Sequence, residues 1–426
     1  MRAFGAAVAT GLLLAPLASA NFGRSAEIPL AGQPASVVLG DANQDGLADI
    51  VTIYSSGPSI SVLAGHGDGG FAQPVDYPVT GARFAVFGDL DSDGLDDLAV
   101  AAGATITVFA GMEGGFERKA SFPVRAPAVL AAADLNSDGN LDLATASSTD
   151  PRVSVLIGLG DGTFDPAVYY PVGSATESLV VADLDGDGAL DIATAGSRPS
   201  ILFGTGDGAF RPYTADAIGP SARSLATDDL DQDGDQDLVA ARSQEVGVLL
   251  NAGDGTFPED TSYPVSGTPA AVAIADVSGD ESLDVVTANR GSNNISVLEG
   301  VDDGTLKPQF RVRVGRMPTA LATSDLDMNG TTDLVVSNRG SKSVTVLLNG
   351  AAAPQPTVCL VPRVVRRTLA AARALLASAH CTVSTVRRKY SNRVKRGRVI
   401  AQRPAPGTRR PEDARVTLLV SRGPRR

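Results

Sequence analysis

Seven acidic segments of nine residues concentrate the side chains most able to do chemistry. They read DANQDGLAD from Asp41, DLDSDGLDD from Asp89, DLNSDGNLD from Asp134, DLDGDGALD from Asp183, DLDQDGDQD from Asp229, DVSGDESLD from Asp276 and DLDMNGTTD from Asp325. Oxygen-bearing side chains recur at positions 1, 3, 5 and 9, glycine at 6 permits a sharp turn, and the main-chain carbonyl of position 7 is available. That is the hard-oxygen set calcium prefers, about six to eight oxygens with several carboxylates.

The predicted ligands follow loop by loop. They are Asp41, Asn43, Asp45, Leu47 and Asp49 in the first, and Asp89, Asp91, Asp93, Leu95 and Asp97 in the second. Asp134, Asn136, Asp138, Asn140 and Asp142 serve the third; Asp183, Asp185, Asp187, Ala189 and Asp191 the fourth. The fifth uses Asp229, Asp231, Asp233, Asp235 and Asp237, and the seventh Asp325, Asp327, Asn329, Thr331 and Asp333. The sixth, with Asp276, Ser278, Asp280 and Asp284, has Glu281 in place of the glycine and is expected to be weak or empty.

Asp, Asn and Gly also build ordinary metal-free turns. Electrostatics favours the metal: two carboxylates ~4 Å apart repel by roughly 4 kcal/mol at an effective dielectric near 20, and a divalent cation removes that cost. Magnesium, which keeps its waters, suits an all-protein cage less well.

Other chemistry is poorly provided for. The chain has two histidines, His66 in a glycine-rich turn and His380 at the end of a predicted helix. Neither a Ser/His/Asp arrangement nor a His/Cys zinc site can be assembled. Carboxylate pairs could serve a glycosidase, but 24 acidic side chains already stand at loop positions 1, 3, 5 and 9. The chain is therefore read as non-catalytic, with an extracellular polysaccharide lyase or hydrolase as the rival.

The elements that must position these loops repeat with them. Successive loops start 48, 45, 49, 46, 47 and 49 residues apart. Each unit has a small-residue strand, the acidic loop, two further strands, a glycine-rich turn ending in Phe or Leu, and an outer YPV-type strand. Four short strands per ~45 residues is the arithmetic of a propeller blade. The seventh unit lacks its outer strand, whereas Phe22 precedes Asp41 by 19 residues with no blade before it. The segment from Phe22 to about Leu30 is thus predicted to close the ring. These units resemble the FG-GAP/VCBS repeats of bacterial surface proteins and integrin α-subunit propellers, a resemblance covering about residues 22–349. The expected fold is an all-β seven-bladed propeller of four-stranded blades with a small α+β C-terminal domain. On the face away from the acidic loops fall Arg83, Arg125, Arg152, Arg198, Arg242, Arg290, Arg316, Arg339 and Lys342, either for solubility or as an anion-attracting surface.

Charge divides the chain. Residues 1–350 hold 18 basic and 46 acidic side chains, a net charge of −28; residues 351–426 hold 18 and 2, a net charge of +16. Residues 1–20 read as a signal peptide, with Arg2, an apolar run and Ala18-Ser19-Ala20. Residues 21–350 are the propeller, 351–357 a linker and 358–424 the tail domain. In the tail, Thr368 caps a helix to about Ala379, and strands are expected at 399–402 and 416–420. Val361-Pro362, the helix, Gly397 to Gln402 and Pro404-Ala405-Pro406-Gly407 resemble a PASTA domain, which implies recognition of bacterial cell-wall peptidoglycan.

The reading is a secreted or wall-associated binding or adhesion protein, monomeric. Calcium would stiffen the propeller as a recognition scaffold, and the tail would bind peptidoglycan or anionic polysaccharide. A surface protein is a further candidate ligand. Alternatively, the tail clasps its own propeller in a structural surface protein. Nucleic acid is not expected, because Tyr390 is the only aromatic of the tail, and no stable membrane insertion is expected after cleavage. The only cysteines, Cys359 and Cys381, are expected to form one disulfide that staples a small core. Intact-mass analysis of the exported protein should find no alkylatable thiol before reduction and two after it; two free thiols in the native protein would refute the pairing.

Overall fold

The computed structural model describes residues 20–215, 218–219, 221–350, 358–379, 381–411 and 414–425. Residues 1–19 of the expected signal peptide, the linker 351–357 and His380 lie outside them. Among the described residues, no helix is long and apolar enough to cross a membrane.

Seven four-stranded antiparallel sheets form the blades of a propeller. Blade one consists of Pro34–Gly40, Asp49–Tyr54, Ser59–Leu63 and Val75–Pro78, from axis to rim. The innermost strands of neighbouring blades touch all round the ring, and that of blade seven (Pro318–Ser324) meets that of blade one. Arg24–Pro29 pairs antiparallel with Ser343–Leu348, in register from Arg24 opposite Leu348 to Pro29 opposite Ser343. The N-terminal segment is therefore the rim strand of blade seven, as the spacing predicted.

The sequence of each strand reflects its depth. Second strands, such as DIVTIY, DLAVAA and DLVVSN, are buried along their whole length. Each lies between two other strands and under the faces of two neighbouring blades, so it reads as a continuous apolar run rather than an alternating one. Rim strands are the most exposed: FRVR places every other side chain in solvent, and VDYP three of its four. Near the axis, where strands converge, alanine recurs (VLAAA, PAAVAIA). The aromatic that ends each glycine-rich turn packs onto the rim strand of the preceding blade: Phe116 on Tyr77, Phe164 on Phe122 and Phe210 on Tyr170, all edge-on at 5.2–5.7 Å. Such pairs contribute roughly 0.5–1.5 kcal/mol beyond area burial.

The tail folds around its own core of Val361, Val364, Ala372, Leu376, Val399, Val416, Leu418 and Val420. Its helix, Leu369–Ser378, begins where Thr368 accepts a hydrogen bond from the Ala371 amide at 3.2 Å. Strands Val399–Arg403 and Ala414–Ser421 contain the two predicted ones. A strand absent from the expectation, Cys381–Lys389, lies parallel to Ala414–Ser421. Its CTVSTVRRK run is rich in β-branched residues, the signal that marks it. No cysteine among the described residues is free; the side chain of Cys359 is not among those described.

Removing residues 21–29 should leave Ser343–Leu348 as an unpaired edge. The melting temperature should drop by roughly 10 °C or more, with concentration-dependent association through the exposed edge. A shortened chain that melts like the parent by calorimetry would show that ring closure contributes little.

Candidate metal centres

Each acidic loop joins the first and second strands of its blade, and one residue fixes its geometry. The aspartate at position 9 begins the second strand and is at most 1% exposed in every blade. Both of its oxygens are used. One accepts the amide of position 2: Leu90 to Asp97 at 2.9 Å, Leu135 to Asp142 at 2.8 Å, Leu184 to Asp191 at 2.8 Å, Leu230 to Asp237 at 2.9 Å, Val277 to Asp284 at 2.9 Å and Leu326 to Asp333 at 2.8 Å. In blade one the donor to Asp49 is Asn43 instead, at 3.1 Å. The other oxygen accepts, at 2.7–2.8 Å, the amide that ends the third strand: Gly65, Gly111, Gly158, Gly204, Asn251, Gly300 or Asn349. At the five glycines a Cβ would fall 2.1–2.4 Å from the carbonyl oxygen of position 8, so the approach excludes a side chain.

Position 1 shapes the turn. Its carboxylate accepts the amides of positions 5 and 6, as in Asp89 with Asp93 at 2.9 Å and Gly94 at 2.7 Å. Position 5 makes a smaller turn of its own, accepting the amide of position 7: Leu47, Leu95, Asn140, Ala189, Asp235 and Thr331 donate at 2.7–2.9 Å. Position 6 is left-handed throughout, with φ of 82–98° at the six glycines and 72° at Glu281. A non-glycine residue there costs about 1–2 kcal/mol. Position 4 is left-handed as well, at Gln44, Ser92, Ser137, Gly186, Gln232, Gly279 and Met328, a requirement the varied residue types there concealed.

Ligand atoms of positions 1, 3 and 9 come within 4.8 Å of one another in four loops: Asp89, Asp91 and Asp97; Asp183, Asp185 and Asp191; Asp229, Asp231 and Asp237; Asp325, Asp327 and Asp333. Asp91 Oδ1, Asp183 Oδ1 and Asp185 Oδ1 are buried without a hydrogen-bond partner. Buried oxygens without donors are costly, and a cation held between them resolves the cost. Blades one and three bring only two carboxylates to positions 1, 3 and 9. Asn43 there leans on Asp49, and Asn136 Nδ2 donates to Asp138 at 3.0 Å. In blade six, Asp276 accepts from Gly279 and Glu281, and the Ser278 hydroxyl is buried without a partner.

Cationic side chains also reach the loops. Lys119 meets Asp91 at 2.8 Å, and Arg211 bridges Asp185 at 3.3 Å and Asp187 at 3.1 Å. The opposite face is less basic than its sequence: Arg125 and Arg152 both lie near Asp150, and Arg242 is held by Asp260 through two hydrogen bonds of 2.9 and 2.7 Å. His66 is exposed.

Desolvation, reinforced by neighbouring carboxylates, pushes the position-9 acids up: Asp49 to about 7, and Asp97, Asp191, Asp237, Asp284 and Asp333 to about 6. A carboxyl raised in the native state binds more protons folded than unfolded. Its stabilising contribution is present below the unfolded value near 4 and is lost as pH rises through 6–7. Calcium acts in the opposite direction, because it needs the ionised form. In chelator, the protein should therefore melt higher at pH 5 than at pH 7.5. In millimolar calcium, the melt at pH 7.5 should rise by many degrees, and more than at pH 5. Calorimetric traces at pH 7.5 that are identical in chelator and calcium would sink the metal reading.

Comparison with known proteins agrees with this architecture. The FG-GAP-like repeat matches residues 41–100, 89–145, 134–194 and 229–287, and the PASTA domain matches residues 360–422. An Agrocybe aegerita lectin that recognises non-reducing terminal N-acetylglucosamine is 20% identical, with a TM-score of 0.51, over 73% of this chain and 86% of the lectin. BBS1N in complex with ARL6DN, in lead- and mercury-soaked crystals, is 13% identical with TM-scores of 0.54 and 0.55. Those matches cover 78% and 76% of this chain and 99% and 95% of the other. At such identities the likeness is one of fold. No curated protein matches the chain. On its repeats and its C-terminal unit, the chain belongs to the FG-GAP-like repeat family and ends in a PASTA domain.

Proposed function

We propose that this is an exported, non-catalytic binding protein that works at the bacterial cell surface. Calcium in the acidic loops stiffens the propeller as a recognition scaffold, and the PASTA domain retains the chain on peptidoglycan or an anionic wall polymer. The observation that carries the reading is the pairing of a metal-loop propeller of net charge −28 with a PASTA domain in a segment of +16. The non-catalytic part is supported by the use made of the carboxylates. Positions 1 and 9 accept backbone amides, position 5 closes its own turn with one oxygen, and positions 1, 3 and 9 converge as a candidate metal cluster in four loops.

A second reading, the tail as a clasp on its own propeller, is favoured by two contacts. Arg366 lies 3.1 Å from Asp93, and Arg398 lies 3.8 Å from Glu113. Exposed pairs of this kind contribute little each, about 0–1 kcal/mol, so docking is compatible with retention when a denser polyanion competes.

Sedimentation with purified bacterial wall tests the proposal. The chain from Asn21 should pellet with the wall, and a chain ending at Gly350 should remain in the supernatant. Equal pelleting of both would transfer retention to the propeller; pelleting of neither would end the wall reading. A panel with acidic polysaccharides and N-acetylglucosamine-terminated glycans extends the search to the propeller's ligand. Polysaccharide turnover that a folded loop-aspartate variant abolishes would reveal an enzyme.

A further inference from the structure

The tail rests on the acidic-loop face of the propeller, over blades one and two. Arg366 Nη1 stands 3.1 Å from Asp93 Oδ2. Asp93 Oδ1 already accepts the Leu95 amide at 2.9 Å, so Oδ2 is the oxygen that position 5 has left for a metal, and an arginine from another domain occupies it. Arg398 donates to the Arg366 carbonyl at 3.1 Å while facing Glu113 at 3.8 Å. Arg363 follows the loop turns: a Cβ on Gly46 would lie 3.5 Å from its amide nitrogen, and one on Gly94 3.0 Å from its Nη2. Arg367 is only 8% exposed, its Nη2 is buried without a partner, and its charge acts on Asp41 and Asp45 of the blade-one loop.

The apolar core of the tail contains no propeller residue. Between the two domains lie gaps of about 40 Å³, beside Asp41, Glu113 and Arg367, and about 180 Å³, beside Leu47, Met328, Pro362 and Leu375. Ion pairs join the domains here, and apart from Glu113 their acidic partners are candidate calcium ligands.

We infer that calcium at the blade-one and blade-two loops and docking of the tail's arginine edge oppose each other, so that metal loading of those two loops undocks the tail. One carboxylate oxygen cannot serve Arg366 and a calcium ion at full strength, and a divalent ion beside Asp41 and Asp45 repels the buried Arg367 guanidinium. Arg211 of blade four makes the same kind of contact within its own blade, so metal there moves no domain. By linkage, whatever factor calcium takes from docking, docking takes from calcium. At low calcium the arginine edge is covered; in millimolar calcium it is exposed to solvent and available to the anionic polymer of the proposed function. The inference rests on the calcium reading of the loops but not on the polymer.

The full mature chain tests it, with Arg366→Gln/Arg398→Gln as the comparison. The position-6 glycine amides report each loop separately by NMR: Gly46 and Gly94 at the seam, and Gly234 in blade five away from it. In the double variant, the calcium midpoint of Gly94 should fall roughly two- to fivefold, the worth of one partly exposed ion pair. Gly234 should keep its midpoint, which also certifies folding. By X-ray scattering, calcium should expand the parent chain, and the variant should already be expanded in chelator. An unchanged Gly94 midpoint, or a parent profile that calcium leaves untouched, overturns the antagonism. If Gly234 fails to respond to calcium in either chain, the calcium reading itself falls and takes this inference with it.

Discussion

A carboxylate buried at the start of the second strand, holding one amide of its own loop and one from the end of the third strand, is the interaction on which the rest of this propeller depends. It recurs at Asp49, Asp97, Asp142, Asp191, Asp237, Asp284 and Asp333. It ties three strands of a blade together at one end, where no backbone ladder can reach, because the loop and the turn project beyond the sheet. A charge-assisted bond of this kind is about twice as strong as a neutral one, and an unpaired carboxylate at that depth would be severely unfavourable. In blades two, four, five and seven the same carboxylate is one corner of the candidate metal cluster, so hairpin geometry and candidate ligand geometry are one arrangement there.

From that clip the ring is stitched together. The glycine-rich turn, held at its start by position 9, donates to the loop of the preceding blade. Gly162 reaches the Leu90 carbonyl at 3.0 Å, Gly208 the Leu135 carbonyl at 3.2 Å, and Gly69 of blade one the Leu326 carbonyl of blade seven at 3.2 Å. Blades five and seven replace the glycine after the third strand with asparagine, and use the side chain for the same purpose. Asn251 Nδ2 donates to the Leu184 carbonyl at 2.9 Å, and Asn349 Nδ2 to that of Val277. Each metal loop is thus braced by the next blade as well as by its own. A cation in one loop would therefore act on a wall shared by two blades, and blade six places Glu281 in the left-handed position where its sisters have glycine.

Much of this was legible in the sequence because it is periodic. The blade count, the strand order and closure by Arg24–Pro29 follow from the spacing of Asp41 to Asp325 and from the displaced Phe22. The candidate ligands were legible as residue types, but their division of labour was not. Position 9 reads as one aspartate among four until burial shows that its partners are backbone amides, which leave no trace in side-chain identity. The left-handed position 4 was hidden because Gln, Ser, Gly and Met fill it, and the parallel strand at Cys381–Lys389 because short alternation flanking a helix is a weak signal. The basic face opposite the loops is partly offset: Asp260 pairs with Arg242, and Arg125 and Arg152 share Asp150.

The seam between tail and propeller could not be read from one strand of text at all, since it joins Arg366 to Asp93 across 273 positions. Its chemistry nonetheless has a reason. A propeller carrying seven acidic loops on one face presents that face to any cation able to reach it, and a tethered C-terminal segment with 18 basic side chains is always within reach. Arginine rather than lysine forms the contact because a planar guanidinium can satisfy a carboxylate and a carbonyl at once and is weakly hydrated. Those properties let it displace water from a loop without the full dehydration cost of an ammonium. They also make the contact reversible, since the guanidinium loses little when solvent returns. A divalent ion bound by several carboxylates together gains far more from the same loop than a single guanidinium gains from one oxygen. The acidic loops therefore favour the tail only while metal is scarce.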